Sequence, residues 1–540
     1  MAENQDGAIP LPAPGHRQAL VMSPRIDRRR FIGGVAAAGV VAKSSVTMAN
    51  EKADTTVRFP NRPPGRGTPF RAEVDIVDCD VEGRIPEDVN GCFYRVGPDF
   101  QYPPKYPNNI PFDGEGHVAM FRIAAGHVDL RTRYVKTQRY KVQRAARKAV
   151  FGMYRNPHTD DSGLEGVSRG TANTTVVYHN RKLLALKEDS PPVVMDPLTL
   201  DTLDDYHTFN DKLTSQTFTA HPKFDPASGE MIAFGYEAKG LGTDDVAIYA
   251  IDKTGAITWE AWIKVPYVGM LHDFAVTQRH IAFLVIPYAY DAELIAAEGP
   301  HFSWDPKLPT WFGVMRRGGD GSDLRWFKGP ERSATHVMGA WSDGEVCYVD
   351  MDMAPNNQFP FFPNRYGEPF DPIGAAGVIT RLKVDLSTTA ERYDMEVLYP
   401  NNGVLPRQDD RYQTVPYSIG FMPTIDYRIP PHPQLADRPF RPNNQYTMFN
   451  HRTRTATSWF AGADVALQEP CFVPRHANAA EGDGYVVGVA ERMLEGHRSD
   501  LLILDTADFA AGPVATVQLP FKIFGQVHGW WVAGDELPDA

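Results

Sequence analysis

Cysteine is scarce in this chain: Cys79, Cys92, Cys347 and Cys471 are the only four among 540 residues, and no two stand close together. That spacing excludes a disulfide-stapled scaffold and a cysteine-built zinc site, and leaves four small hydrophobes for the core. Long apolar runs are missing too. No stretch reaches the 18 or so consecutive apolar residues of a membrane-spanning helix, so no span is expected. Positive charge is in deficit, 55 Lys and Arg against 67 Asp and Glu, for a net charge of -12. Such a surface repels phosphate backbones and anionic lipid heads, which argues against nucleic acid as a partner. Neither a GxSxG nucleophile elbow nor a phosphate-cradling glycine loop is present, so hydrolase and kinase chemistry have no starting point.

What is present is a chain able to bury a large core, with 42% hydrophobic and 11% aromatic residues. Short β-rich runs alternate with turn chemistry. Thr174 to Tyr178 and Leu183 to Leu186 flank His179-Asn180-Arg181-Lys182, and Val246 to Ile251 and Ile257 to Trp262 flank Asp252-Lys253-Thr254-Gly255; both read as hairpins. The same pattern recurs around Thr277-Gln278-Arg279 and Ser342-Asp343-Gly344. Many short strands with regular turns predict a large antiparallel all-β architecture. Only Lys141 to Met153 has strong helix-forming composition, so helices are expected as insertions. No fixed-period repeat is visible, and pattern alone does not separate a propeller from a sandwich.

The first 50 residues differ from the rest. A polar, Pro-rich start leads to Asp27-Arg28-Arg29-Arg30-Phe31-Ile32 and then a weakly apolar run to about Ala42. This order of charged, apolar and small residues is that of an export signal of the twin-arginine type, which predicts the export machinery as a partner and the periplasm as destination. Residues 51–71 read as an extended lead-in, and 72–540 as one domain.

Of sixteen histidines, four stand at the edges of predicted strands beside apolar or small neighbours: His221 in TAHPK, His272 in MLHDF, His336 in ATHVM and His528 in QVHGW. Their separations are too wide to form a local motif. His127-Val128-Asp129 and His158-Thr159-Asp160 supply an HxD pattern that fits a site of two histidines and one carboxylate instead.

Resemblance favours the four histidines. Asn90-Gly91 with Arg95 and Gly97-Pro98, Phe112 to His117 (FDGEGH) and Gln468-Glu469-Pro470 resemble the carotenoid cleavage oxygenase family along nearly the whole chain after the leader. Phe151 to Pro157 (FGMYRNP), Arg169 to Thr174 (RGTANT), Leu186 to Asp189 (LKED) and Thr217 to Asp225 (TFTAHPKFD) look most like its bacterial lignostilbene dioxygenase branch. The resemblance implies a seven-bladed β-propeller, with loop and short-helix insertions forming a dome over an axial metal. It implies one Fe(II) per chain on His221, His272, His336 and His528, O2 as co-substrate, and supporting glutamates at Glu188 and Glu469. The family's third glutamate falls on Val404 by ungapped reading, so either another acceptor replaces it or His336 is held less firmly.

In the stilbene-cleaving branch a tyrosine and a lysine, matching Tyr154 and Lys187, bind the substrate's 4-hydroxyl group. By the same resemblance Phe112 stacks on the substrate ring and Thr174 crowds an open metal position. The expected reaction is cleavage of the central C=C bond of a 4-hydroxystilbene to two aromatic aldehydes. A small phenolic aromatic is thus the expected partner, and a homodimer stays open. An apocarotenoid, a phenylpropene such as isoeugenol, and a non-catalytic aromatic-binding propeller are the alternatives. Aromatics at Phe302-Ser303-Trp304 and Phe359 to Pro363 are expected either to line the cleft or to pack loops.

Overall fold

A computed structural model describes residues 69–438, 441–523, 525 and 527–538, all within the compact unit Val57–Ala540. The expected export signal and most of the expected lead-in lie outside the described residues. Seven antiparallel sheets follow one another along the chain and form the seven blades of a β-propeller. Blade 1 runs from His528–Ala533 through Gly91–Asp99, Glu115–Ala124 and His127–Tyr134 to Asp75–Ile76. Blades 2 and 3 start at Thr175–His179 and Lys223–Phe224, blade 4 at Gly269–Met270 with Phe274–Val276, and blade 5 at Ser333–Asp343. Blade 6 starts at Arg407–Gln408, and blade 7 at Val465–Leu467 with Cys471–Pro474.

The ring is closed twice. Val81–Gly83 pairs with Pro513–Gln518 and completes blade 7, while His528–Ala533 pairs with Gly91–Asp99 and completes blade 1. A propeller leaves no long open edge when its ends are stitched in this way. Segments early and late in the described residues therefore build the ring together, and the later stitch also brings His528 into place.

Inner and middle strands such as Met231–Tyr236 and Asp245–Ile251 are buried on both faces, which explains why they read as largely apolar runs, whereas outer strands such as Thr455–Phe460 are largely exposed. In Met231–Tyr236, Met231 and Ala233 pack toward blade 2, whereas Ile232, Phe234 and Tyr236 pack toward blade 4, as period-two alternation requires. The hydrophobic clusters lie between neighbouring blades, and the largest spans blades 3, 4 and 5. All four cysteines are buried and free, as the sequence predicts.

Each predicted hairpin forms. The turn between Thr175–His179 and Lys182–Leu186 puts both Asn180 and Arg181 at positive φ, the geometry that matches strand twist in a two-residue hairpin. The helix is displaced from its expected place: it spans Gln138–Ala146 rather than Lys141 to Met153. Thr137 caps it by accepting from Tyr140 N, and Arg147 ends it in the left-handed region at φ 55°. A second short helix, Ala292–Ala296, was not expected. No described helix is long and apolar enough to cross a membrane.

Candidate metal centre and aromatic cleft

The four singled-out histidines come together. His221 precedes the first strand of blade 3, His272 occupies the break between the two inner segments of blade 4, His336 sits in the first strand of blade 5, and His528 opens the strand that closes blade 1. Pairing with Val346–Ala354 slips on both sides of Val337, a bulge that re-aims His336. One ring nitrogen from each histidine lies within 4.8 Å of all the others. His272 Nε2 and His336 Nε2 are 3.1 Å apart. Metal–imidazole bonds of about 2.1 Å put nitrogens at adjacent corners about 3 Å apart, so the cluster has the size of a coordination sphere.

The donor chemistry fits a cation as well. Nε2 of His221 and of His528 are buried with no hydrogen-bond partner, a costly arrangement unless something else takes the lone pairs. Burial and the neighbouring imidazoles hold His221, His336 and His528 below the ordinary histidine range, hence neutral. His272 is also buried, but Glu188 beside it outweighs the burial and raises it.

Two glutamates orient two of the rings. His272 Nδ1 donates to Glu188 Oε1 at 2.6 Å, and Glu188 Oε2 accepts from Tyr236 Oη at 2.6 Å. His528 Nδ1 donates to Glu469 Oε1 at 2.8 Å. Glu469 Oε2 accepts from Gly529 N at 2.9 Å, with Arg407 at 3.3 Å and Arg95 at 3.4 Å. Burial alone would raise Glu469, yet His528, Arg407 and Arg95 hold it down at about 2. Only glycine fits after His528: a Cβ on Gly529 would stand 2.6 Å from Tyr94 O and Arg95 Cδ. His336 has no such partner. Its Nδ1 is buried without a hydrogen bond, in keeping with valine at 404.

Glu188 and its neighbour Lys187 face different partners. Lys187 Nζ donates to Phe112 O at 3.5 Å and lies 4.9 and 5.0 Å from the ring centres of Tyr154 and Phe112. Burial lowers Lys187 from the usual lysine range against the pull of Asp189, Glu188 and Asp113; burial pushes Tyr154 well up, so its phenol stays protonated. An aromatic path joins this pair to the histidines. Phe359 stands 5.6 Å from the His272 ring, Phe361 5.6 Å from Phe359, and Phe112 5.8 Å from Phe361. Phe302 and Trp304 are fully buried in the core cluster against which Phe112, Phe359 and Phe361 pack. Thr174 is buried, and its hydroxyl donates to Asn173 Oδ1 at 3.1 Å.

Asn173 was missed by sequence reasoning. Its amide donates to Phe112 O at 2.8 Å and Gly114 O at 2.7 Å, fixing the turn that carries Phe112. Tyr236, Arg407 and Asp352 were missed likewise, because each acts through partners distant in sequence. The HxD pairs take no part. His127 is exposed and binds Asp78, and Asp160 accepts from Gly152 N.

A cavity of about 720 Å³, measured out into open solvent, reaches His221, His336 and His528 and is lined by charged groups that include Lys223, Asp273, Arg407 and Asp410. None of Phe112, Tyr154 and Lys187 borders it. The histidines thus stand between this opening, lined by charged and apolar side chains, and the aromatic cluster that leads to Tyr154 and Lys187.

A propeller with a four-histidine cluster of coordination size and glutamates behind two of its rings belongs to the class of proteins built to hold a metal ion. Residues 67–533 match the family described as retinal pigment epithelial membrane protein, and the chain belongs to this family of carotenoid cleavage oxygenases. It is 41% identical over 476 residues to lignostilbene-alpha,beta-dioxygenase isozyme III of Sphingomonas paucimobilis, covering 87% of this chain and 97% of that one. Identity is also 41% over 464 residues to an isoeugenol monooxygenase of Pseudomonas nitroreducens, covering 86% and 96%. The crystal structure of lignostilbene dioxygenase from Pseudomonas brassicacearum superposes with a TM-score of 0.86 at 41% identity, over 89% of this chain and all of that one.

Proposed function

We propose that this protein is an iron(II)-dependent dioxygenase that cleaves the central C=C bond of a 4-hydroxystilbene into two aromatic aldehydes. His221, His272, His336 and His528 would hold the metal, and neutral imidazoles suit ferrous iron. When bound, the iron supplies open coordination positions at which O2 is activated.

The rest is done by this chain's own side chains. Tyr154, kept protonated by burial, donates a hydrogen bond to the substrate's 4-oxygen. Lys187, lowered by burial, accepts the phenolic proton. The resulting phenolate releases electron density through its ring onto the alkene in para position. Phe112, Phe359 and Phe361 hold the flat ring between the anchor and the histidines. They also keep water from the alkene. Glu188 and Glu469 fix the tautomers of His272 and His528 so that Nε2 is left as the metal-facing nitrogen.

The observation that carries this reading is the buried lysine beside Tyr154, one residue from the glutamate that orients His272. The test is to supply the iron-loaded protein, in air, with a 4-hydroxystilbene, its 4-methoxy analogue, isoeugenol and an apocarotenal, and to measure aldehydes. Aldehyde is expected from the hydroxystilbene and little from the methoxy analogue; equal turnover of those two removes the phenol-anchoring role. Isoeugenol is the second reading, favoured by the 41% identity to an isoeugenol monooxygenase, since it also carries its alkene para to a phenol. We place the mature enzyme in the periplasm on the layout of its leader. Replacing Arg28 and Arg29 by lysine should leave it in the cytoplasmic fraction.

A further inference from the structure

Two of the histidine rings are held by glutamates, whereas His336 is not, and the question is what fixes it. The answer lies in its backbone. Three consecutive N–H groups in the bulge donate to carboxylates: Thr335 N to Asp352 Oδ1 at 3.3 Å, His336 N to the same oxygen at 2.5 Å, and Val337 N to Asp273 Oδ2 at 2.8 Å. Asp352 also accepts from Thr335 Oγ1 at 2.5 Å. The other oxygen of Asp273 accepts from Phe274 N at 2.7 Å and meets Lys223 Nζ at 2.7 Å. Lys223 follows His221 by two residues, Asp273 follows His272 directly, and Val337 follows His336 directly. One largely buried ion pair, 18% and 2% exposed, together with the Val337 amide, therefore ties together the histidine-bearing segments of blades 3, 4 and 5.

We propose that Asp273 and Lys223 are positioning residues of the metal centre, doing for His336 through its backbone what a ring-bonded glutamate does for His272 and His528. The proposal rests on reading the four histidines as a metal site. A bulge adds one unpaired residue to a strand and leaves its N–H groups without ladder partners. Here carboxylates take those donors, which fixes the direction of the His336 Cα–Cβ bond. Lys223 in turn holds Asp273, because a buried carboxylate without a cation would be costly. The pair is also well placed to transmit a disturbance, since Lys223 and Asp273 both border the cavity that reaches His221 and His336.

The test uses the full-length protein, stripped of metal and titrated with Fe(II) against a chromophoric chelator. A parallel titration with Co(II) is read by its visible ligand-field bands, which report coordination geometry. Asp273→Ala should weaken Fe(II) binding about 10- to 100-fold, the usual effect of removing a group that supports a ligand, and should shift the Co(II) bands at saturation. Lys223→Met should weaken binding less, and Lys223→Arg should restore it. A merely structural ion pair would lower the melting temperature of the metal-free and metal-loaded proteins equally. The proposal instead expects the metal-induced rise in melting temperature to shrink. Binding within about twofold of the unaltered protein, with unchanged Co(II) bands, overturns it. Should Asp273→Ala not fold, the comparison of Lys223→Met with Lys223→Arg decides by the same criteria. Failure of the unaltered protein to bind Fe(II) overturns the metal reading itself.

Discussion

His528 and His336 reach the same point on the propeller axis but are secured in different ways. The His528 ring is gripped at Nδ1 by Glu469, and that carboxylate is held by Arg407, Arg95 and the amide of Gly529. The His336 ring has no partner at Nδ1, while its own amide and both neighbouring amides are clamped by Asp352 and Asp273. A ring bond fixes tautomer and rotation together. A backbone clamp fixes where the side chain starts but leaves the ring torsion to the metal and to packing. One centre therefore combines rigid donors in blades 1 and 4 with a freer one in blade 5. Charge adds to the asymmetry: burial pushes Asp352 up to about 6, whereas His528, Arg407 and Arg95 hold the buried Glu469 at about 2.

The largest effect expected on this contrast is complete. His272→Ala should leave no iron in purified protein, measured by metal analysis, because it removes one of the four converging nitrogens and strands Glu188. A chain using the exposed His127 or His158 would keep its iron. Next comes the proposed phenol anchor at Lys187 and Tyr154. Lys187→Met should lower kcat/KM for a 4-hydroxystilbene by about 100-fold or more, as loss of a positioned proton acceptor does, with bound iron unchanged. In the unaltered enzyme kcat/KM should rise as pH climbs through the lowered pKa of Lys187, because the amine must be neutral to take the phenolic proton. That rise should lie below the value of about 10.4 for free lysine and vanish in the variant.

Glu469→Gln should weaken iron binding by about 10- to 100-fold, more than any change confined to His336's surroundings other than its clamp. It has a second signature. A carboxylate lowered from 4.5 to about 2 on folding stabilises the fold fully above the higher value. That contribution is lost as pH falls from 4.5 toward 2. Thermal melts of metal-free protein across this window should fall more steeply for the unaltered chain than for Glu469→Gln.

Particular residues show what the sequence could reveal. Hairpin turns such as Asn180-Arg181 and Asp252 to Gly255 are local, and they were legible because turn chemistry acts within four residues. The number of blades was not legible from pattern, since the blades diverge in sequence and their double closure joins residues 81–83 to 515–517 and 91–96 to 528–533. The four histidines became a site only through resemblance, because no local spacing brings positions 221, 272, 336 and 528 together. Asn173, Tyr236 and Asp273 escaped altogether. Each is an ordinary polar residue until its partner is known, and those partners are 61, 48 and 64 positions away. Burial, the usual sign of a structural role, does not separate them from core residues.

The smallest effect tests the comparison most directly. The inner strand of blade 6 runs beside that of blade 5, and the half-buried Val404 precedes it by three residues. Val404→Glu puts a carboxylate where ungapped resemblance expects the family's third glutamate, as an intended acceptor for the orphaned Nδ1 of His336. A buried carboxylate costs desolvation, so the gain comes only if the ring bond forms. The expected outcome is a severalfold tighter hold on Fe(II) by chelator competition, together with a smaller penalty when Asp273→Ala is added. Two supports acting on one ligand are not additive, and a double-mutant cycle would read their coupling. If Val404→Glu tightens binding equally with and without Asp273, the ring bond and the backbone clamp act independently. The asymmetry between His528 and His336 would then reflect two separate ways of holding a ligand rather than one substituting for the other.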